Sequence, residues 1–164
     1  MKIILLIILV VAVSIFSACT GNSGKVSDPS KPLIEGMKNF NLKDYGVNIT
    51  FPAPVNSQVK ASGTGAELSQ GSVFSIHAAS GTGDINLIKN DIKNDEVRKF
   101  VRFITEEPDL IVFECETAGK AEFHFWLIKK SDQDVVEIRD NIDFLYTEDQ
   151  ISKMVNSAKS SVFN

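Results

Sequence analysis

Cysteine is scarce in this sequence, which holds only Cys19 and Cys115 among 164 residues. A framework of several disulfides, of the kind that stabilises small secreted domains, is therefore excluded. Histidine is equally rare, and His77 and His124 lie far apart in the chain. Because no His or Cys spacing typical of a zinc site is present, we expect no metal and no cofactor.

Runs of lysine and arginine are also missing, and the formal net charge is −4. Without a basic patch, nucleic-acid binding is not expected. The acidic balance also argues against electrostatic adsorption of the protein on anionic lipid.

The only long apolar run is at the N-terminus, and it is short for a membrane span. Lys2 is the only charge before residue 25, and residues 3–18 contain just two polar side chains. Sixteen helical residues extend about 24 Å, less than the hydrocarbon core of about 30 Å. The segment is therefore typical of a secretory signal peptide, which we predict over residues 1–18.

The signal peptide ends in Phe16-Ser17-Ala18-Cys19, which resembles the lipobox of bacterial lipoproteins. The family usually has leucine where Phe16 stands. The resemblance implies that residues 1–18 are removed and that the Cys19 thiol receives a diacylglycerol, which makes the membrane a partner. Because Thr20 follows where an acidic residue is associated with inner-membrane retention, the outer membrane is favoured if the cell has one. A plain secreted protein with a chance cysteine is the alternative.

Residues 20–32 contain no large apolar side chain except Val26. This composition predicts a flexible tether, which together with Cys19 makes a segment 19–32. Thirteen such residues give a root-mean-square reach of about 20 Å. The remaining residues, 33–164, are expected to form a single domain.

Five segments of that domain show the pattern of β-strands, and two show a helical period. The strands are predicted at 45–51, 72–79, 109–117, 120–130 and 134–142, and the helices at 84–106 and from Thr147 onward. The first helix carries two apolar stripes that are out of step at Asn94, which predicts a kink or a fresh N-cap there. Thr147 and Gln150 form a capping-box pattern at the start of the second.

The resulting order, β-β-α-β-β-β-α, predicts an α+β domain with a mostly antiparallel sheet and helices packed on it. This order resembles the PsbP/Mog1-like fold, which occurs among small bacterial envelope lipoproteins. The resemblance covers about residues 40–162 and rests on element order, so it implies no functional residue.

The segment Thr117-Ala118-Gly119 joins the third and fourth predicted strands. A three-residue loop with Gly119 in the left-handed conformation would pair Phe113 with Phe123 and make one face continuously apolar. A two-residue loop would pair Phe113 with His124 instead. The apolar pattern favours the first register.

That register places Glu114, Glu122, His124 and Trp126 together on the face opposite the core. A carboxylate beside an imidazole can perform acid–base chemistry, and opposed carboxylates raise each other's pKa. The same residues also fit a solvated or helix-covered sheet face, so Glu114, Glu122 and His124 are only an alternative catalytic set. Cys115, alternating into the core, is expected to be a buried, inert thiol.

The tetrapeptide Ser-Gly-Thr-Gly occurs at 62–65 and again at 80–83. The second copy precedes a predicted helix, where glycine loops can bind phosphate. No Lys-Ser/Thr follows it and Asp84 would repel an anion, so a turn leading into a helix cap is expected.

These patterns predict a lipid-anchored cell-envelope protein that is a non-catalytic binding or assembly module, with an unidentified envelope protein as partner. One alternative is a small hydrolase that uses Glu114, Glu122 and His124. Another is a carrier of a small apolar ligand, which would need a cavity between sheet and helix.

Overall fold

The computed structural model describes residues 36–164. The predicted signal peptide, the lipobox cysteine Cys19 and the predicted tether therefore lie outside the described residues. Within residues 36–164, neither α-helix has the length and apolar content that crossing a bilayer would require.

Ten strands and two helices make up the described part of the chain. The strands are β1 (Met37–Asn41), β2 (Ile49–Pro54), β3 (Gln58–Ser62), β4 (Gly65–Gln70), β5 (Phe74–Ser80), β6 (Lys99–Glu106), β7 (Leu110–Thr117), β8 (Lys120–Lys130), β9 (Val135–Asp140) and β10 (Val162–Phe163). The helices are α1 (Ile85–Lys93) and α2 (Glu148–Ser160), with a 3-10 turn at Lys43–Tyr45. The α+β class is confirmed. The predicted order is incomplete, because β1, β3, β4, β6 and β10 were not expected.

Seven strands form the main sheet in the order β3-β4-β5-β9-β8-β7-β6, and each neighbouring pair is antiparallel. Strands β1 and β10 flank β2 in a smaller antiparallel sheet. We call face A of the main sheet the side that carries Leu68, Ile76 and Ile138. Face B is the side that carries His77 and Arg139.

Face A packs against α2 and the smaller sheet to form the main core. Phe51 of β2, Phe125 of β8 and Met154 of α2 meet there, and each is fully buried. Burying one such side chain contributes about 1.5–3 kcal/mol to folding. The capping box that orients α2 is confirmed: the Gln150 N–H donates to Thr147 Oγ1, and the Thr147 N–H donates to Gln150 Oε1.

Face B carries a second, smaller core beneath α1. Ile88 and Ile92 of the helix pack with Ile111, Phe113 and Cys115 of β7. The polar side chains of β4 and β5 lie beside this core and are not members of it. Face B therefore has an apolar part under α1 and a polar part next to it.

The helix predicted over 84–106 is wrong in its second half. Helix α1 ends with Asn94 as its C-cap, and β6 follows as the edge strand of the sheet. Two irregularities in the pairing of β6 with β7 explain the error. The first, between Phe100 and Arg102, brings Phe100 and Phe103, three residues apart, to the same face, where both pack against the smaller core. Bulges thus give this strand a spacing that imitates a helix.

The predicted three-residue loop between β7 and β8 is also wrong. Ala118 and Gly119 form a two-residue turn, and their φ angles of 51° and 79° are both positive. Phe113 therefore pairs with His124 and not with Phe123. The left-handed conformation costs about 1–2 kcal/mol for a residue with a Cβ, so an alanine does not indicate it in the sequence. The one-residue shift moves every side chain of one strand to the other face.

Candidate functional site

Glu122, His124 and Asp140 form a buried polar cluster where β8 runs beside β9. Their side chains are 8%, 1% and 3% exposed. His124 Nδ1 lies 2.7 Å from Asp140 Oδ2, and the Phe125 backbone N–H donates to Asp140 Oδ1 over 2.8 Å. Because an ionised carboxylate only accepts hydrogen bonds, Nδ1 carries the proton of this contact. Asp140 thus orients the imidazole ring and ties it to the backbone of β8.

The second ring nitrogen of His124 faces Glu122. Nε2 lies 3.5 Å from Glu122 Oε2, and it has no hydrogen-bond partner among residues 36–164. The Phe113 ring packs against the imidazole, with the ring centroids 5.5 Å apart. One additional proton, on Nε2 or on Glu122, would supply the hydrogen that this contact lacks. The cluster is therefore complete on the Asp140 side and loose on the Glu122 side.

Cys115 lies on β7 directly across from Glu122 and is 1% exposed. Burial, together with the negative charges of Asp95 and Glu122, raises the pKa of its thiol to about 11. A thiol that stays protonated is a poor nucleophile. The expectation that Cys115 is buried is confirmed.

Glu114 is not part of this cluster. The two-residue turn places it across from Phe123, so it points to face A, whereas Glu122 and His124 point to face B. Its Oε2 accepts a hydrogen bond of 2.7 Å from Arg102 Nε on the edge strand. The prediction that groups Glu114 with the other two residues is wrong, because it depended on the wrong register.

Burial decides what the buried polar cluster can do. An acid–base residue must come within hydrogen-bond distance of its substrate, directly or through one water. The His124 ring is covered by protein on all sides, and its two carboxylate neighbours are covered as well. The geometry therefore suits a structural connection between β8 and β9 better than catalysis on a bound substrate.

A second set of polar side chains crosses face B in a straight line, and we call it the polar row. It occupies consecutive register positions on β3, β4, β5, β9 and β8, with Lys60, Glu67, His77, Arg139 and Trp126 in that order. Neighbours in such a row have Cβ atoms about 4.5–5.5 Å apart. The row holds two cationic side chains, Lys60 and Arg139, and one anionic side chain, Glu67, with an imidazole in the middle and an indole at the end.

The charged members of the polar row differ in how they are compensated. Glu67 is buried; it accepts a hydrogen bond from Ser75 Oγ and lies 3.2 Å from Lys60 Nζ. The Arg139 guanidinium stacks over the Trp126 ring, 5.4 Å from its centroid. Among residues 36–164 this guanidinium makes no ion pair and no hydrogen bond. The negative charge is balanced internally, whereas the guanidinium keeps its donors available.

His77 lies between these two charges in the polar row. Its Nε2 is 3.1 Å from the carbonyl oxygen of Ser62. Because a carbonyl only accepts, Nε2 carries a proton and Nδ1 is left as an acceptor in the neutral ring.

A small cavity opens over the polar row. Its volume is about 160 Å³, and it is lined by Ser62, Glu67, His77, Arg139, Asn141, Ile142 and Asp143. Six of these seven side chains are polar. The cavity is suited to a small polar molecule rather than to an apolar one.

The glycine loop at 80–83 is filled by a side chain of the protein itself. The Gly83 N–H donates to Glu137 Oε1 over 3.0 Å, and a Cβ on Gly81 would lie 2.2 Å from Glu137 Cδ. A carboxylate thus occupies the position that a bound phosphate would need. The expected turn into a helix cap is confirmed, since the Asp84 carboxylate accepts from the N–H groups of Asn86 and Leu87.

Asp140, Glu67 and Arg139 were not singled out from the sequence. Asp140 carried a usable signal, because it is the third member of an alternation whose other members, Val136 and Ile138, are buried apolar residues. An acid in an apolar register indicates a buried partner. Glu67 gave no such signal, because β4 itself was not predicted. Arg139 lies on the predicted strand β9, but an arginine that alternates with buried residues is typical of a solvent-facing position.

The sequence was compared with protein-family models and with curated proteins. No family model and no curated protein matches the sequence. In the part of the chain that the structure describes, no three His, Cys, Asp or Glu side chains are arranged to hold a metal ion.

Proposed function

We propose that this protein is a lipid-anchored component of the cell envelope whose folded domain is a non-catalytic binding or assembly module. The observation that carries the non-catalytic part is the burial of His124, which is 1% exposed. The best acid–base pair in the chain is thereby withdrawn from solvent. The polar row, by contrast, borders a cavity that a ligand can enter.

The anchoring part of the proposal is based on the sequence Phe16-Ser17-Ala18-Cys19. A diacylglycerol on the Cys19 thiol together with an acyl chain on the new amine would hold the protein stably on a membrane, whereas a single chain would not. The tether at 20–32 would then let the domain move clear of the lipid headgroups. We place the protein in the outer membrane if the cell has one.

Metabolic labelling with palmitate tests the anchor. The wild-type chain is expected to incorporate label and to remain with the membrane fraction, and Cys19→Ala is expected to lose both properties. Cys115→Ala is the matched control, since it removes the only other cysteine. Label that persists equally in Cys19→Ala would contradict lipidation at this residue.

Capture of partners from the native envelope tests the binding role. We expect the lipidated wild-type protein to retain an envelope protein and Arg139→Glu, in the polar row, to lose it. Arg102→Glu is the control, because Arg102 is an exposed arginine on the edge strand, away from the cavity. Equal capture by the two variants would exclude the polar row as the binding surface.

The carrier alternative has one specific observation in its favour. A groove of about 190 Å³ lies between α2 and strands β6 and β7, lined in part by Ile104, Val112 and Val155. An apolar ligand in this groove would be displaced by Val155→Trp, and a fluorescent fatty acid can report it. Unchanged fluorescence in that variant would exclude the groove. The hydrolase alternative has lost support, since Glu114 is separated from a buried Glu122 and His124.

The resemblance to the PsbP/Mog1-like fold is also a proposal. It is supported by a large antiparallel sheet that carries α2 on face A and α1 on face B. Superposition of an experimental structure on members of that fold is expected to align both helices and the central strands. Alignment of isolated hairpins alone would contradict the resemblance.

A further inference from the structure

The polar row contains a cation whose donors are free to bind a ligand. Arg139 is positioned by its stacking on Trp126, and it engages no carboxylate among residues 36–164. The nearest acid along the row, Glu67, is occupied by Lys60 and Ser75. A guanidinium offers five N–H donors in a planar fork that matches a carboxylate. Its position at the cavity wall therefore favours a ligand that carries a carboxylate.

The same cavity has a carboxylate without a cationic partner in the described chain. Asp143 is exposed and forms no ion pair among residues 36–164. Its backbone N–H donates to Asn141 Oδ1 over 3.0 Å, which holds the loop after β9 in place. Although Arg139 and Asp143 line one cavity, they do not pair with each other. A molecule that carries both a negative and a positive group could therefore bind the two side chains at once.

The volume and the neutral groups restrict the size of that molecule. The cavity volume of about 160 Å³ is below the range of about 300–1,000 Å³ that is usual for small-molecule sites, so only a compact molecule fits. His77 also lines the cavity, and Nδ1 is the ring nitrogen that remains as an acceptor, because Nε2 is committed to the Ser62 carbonyl oxygen. The site therefore suits a compact polar ligand with donors on one side and a carboxylate on the other.

We propose that the cavity over the polar row binds a small zwitterion of the α-amino acid class. The ligand carboxylate lies on the Arg139 guanidinium, and its ammonium group faces Asp143 with His77 Nδ1 as a further acceptor. A simple anion fits less well, because the unpaired Asp143 carboxylate would repel it, and a simple cation would be repelled by Arg139. This inference deepens the proposed binding role and rests on it.

Saturation-transfer NMR on the full lipidated chain in detergent, with a mixture of the common α-amino acids as probe, tests the inference. We expect at least one amino acid to bind with a Kd of about 1 mM or tighter, measured afterwards by calorimetry. Arg139→Gln is expected to weaken binding about 10- to 100-fold, as for loss of a charged hydrogen-bonding group. Asp143→Asn is expected to weaken binding about 10-fold. Arg102→Gln is the matched control and is expected to bind like wild type.

Blocked ligands separate the two charges. The N-acetylated form and the amide form of the same amino acid are each expected to bind at least about 10-fold more weakly than the free form. If urea denaturation shows that Arg139→Gln is not folded, Asp143→Asn and the blocked ligands still test the inference. Equal binding of the acetylated form, or no binding of any amino acid, would overturn the inference. A chain that takes up palmitate and captures an envelope protein, yet binds no amino acid, would contradict this inference alone.

Discussion

His124 Nδ1 and Asp140 Oδ2 lie 2.7 Å apart in the protein interior, where β8 and β9 run side by side. The other oxygen of the carboxylate accepts from the Phe125 backbone. One buried aspartate thus connects a side chain and a main-chain N–H of the neighbouring strand. A buried polar group lowers the stability of the folded state unless it is hydrogen-bonded. The folded state therefore depends on this contact.

Replacement of Asp140 by alanine is predicted to lower the free energy of unfolding by about 3 kcal/mol, because it leaves two buried donors unpaired. Urea denaturation measures the change. Asp132→Ala, at an exposed acid on the loop before β9, is the control and is expected to change stability by less than about 0.5 kcal/mol. Equal effects of the two substitutions would show that the buried contact adds nothing.

Cys115 is predicted to react with a thiol reagent only when the domain unfolds. In a Cys19→Ala background it is the only thiol, and it is fully buried. Its labelling rate should follow the fraction of unfolded protein in urea. Rapid labelling of the native protein near neutral pH would mean that β7 opens easily or that α1 does not cover it.

The raised pKa of Cys115 also predicts a pH dependence of stability. The thiol is protonated in both states below pH 9, so its contribution is fully present there and is lost as pH rises toward about 11. Between these values the wild-type protein should lose more stability than Cys115→Ala, since other titrating groups are common to both. Parallel loss in the two proteins would contradict the burial of this thiol.

A substitution at Ala118 is predicted to stabilise the turn between β7 and β8. Asparagine tolerates a positive φ, so Ala118→Asn should raise the free energy of unfolding by about 1 kcal/mol. Gly119→Ala should lower it, because it places a Cβ at a φ of 79°. Destabilisation by Ala118→Asn would instead favour the three-residue loop and its different register.

Any side chain at Gly65 is predicted to destabilise the domain, because there is no room for a Cβ atom. A Cβ there would lie 2.1 Å from the carbonyl oxygen of Ala78 in the adjacent strand, and backbone cannot move aside cheaply. Gly65→Ala should therefore cost about 1–3 kcal/mol or more. Ser69→Ala, on the same strand, should cost much less, and a comparable loss in both variants would refute the close approach of β4 and β5.

The sequence predicts those elements in which local pattern and final structure agree. Strand β8 alternates regularly, and α2 begins with a capping box, so both were recognised. Strand β6 was not, because its bulges produce a helical spacing between Phe100 and Phe103. The register of β7 and β8 failed at Ala118, whose positive φ has no signature in an alanine. The error then placed Glu114 with His124.

The polar row lies beyond local pattern altogether. Its members come from five strands: short turns join β3 to β4 and β4 to β5, and likewise β8 to β9. The two groups meet only because β5 pairs with β9 across α1 and three intervening strands. No spacing along the chain relates Glu67 to Arg139. Such a site is found from sheet topology, whereas the lipobox is a contiguous motif that can be read directly.

Mass spectrometry of the N-terminal peptide, from protein extracted out of the cell envelope, tests lipid anchoring most directly. We predict that the mature chain begins at Cys19 and that this residue carries the mass of a diacylglyceryl group, with or without a further acyl chain on its amine. A mature chain with an unmodified Cys19, or one that begins after it, would contradict the proposed attachment to the membrane.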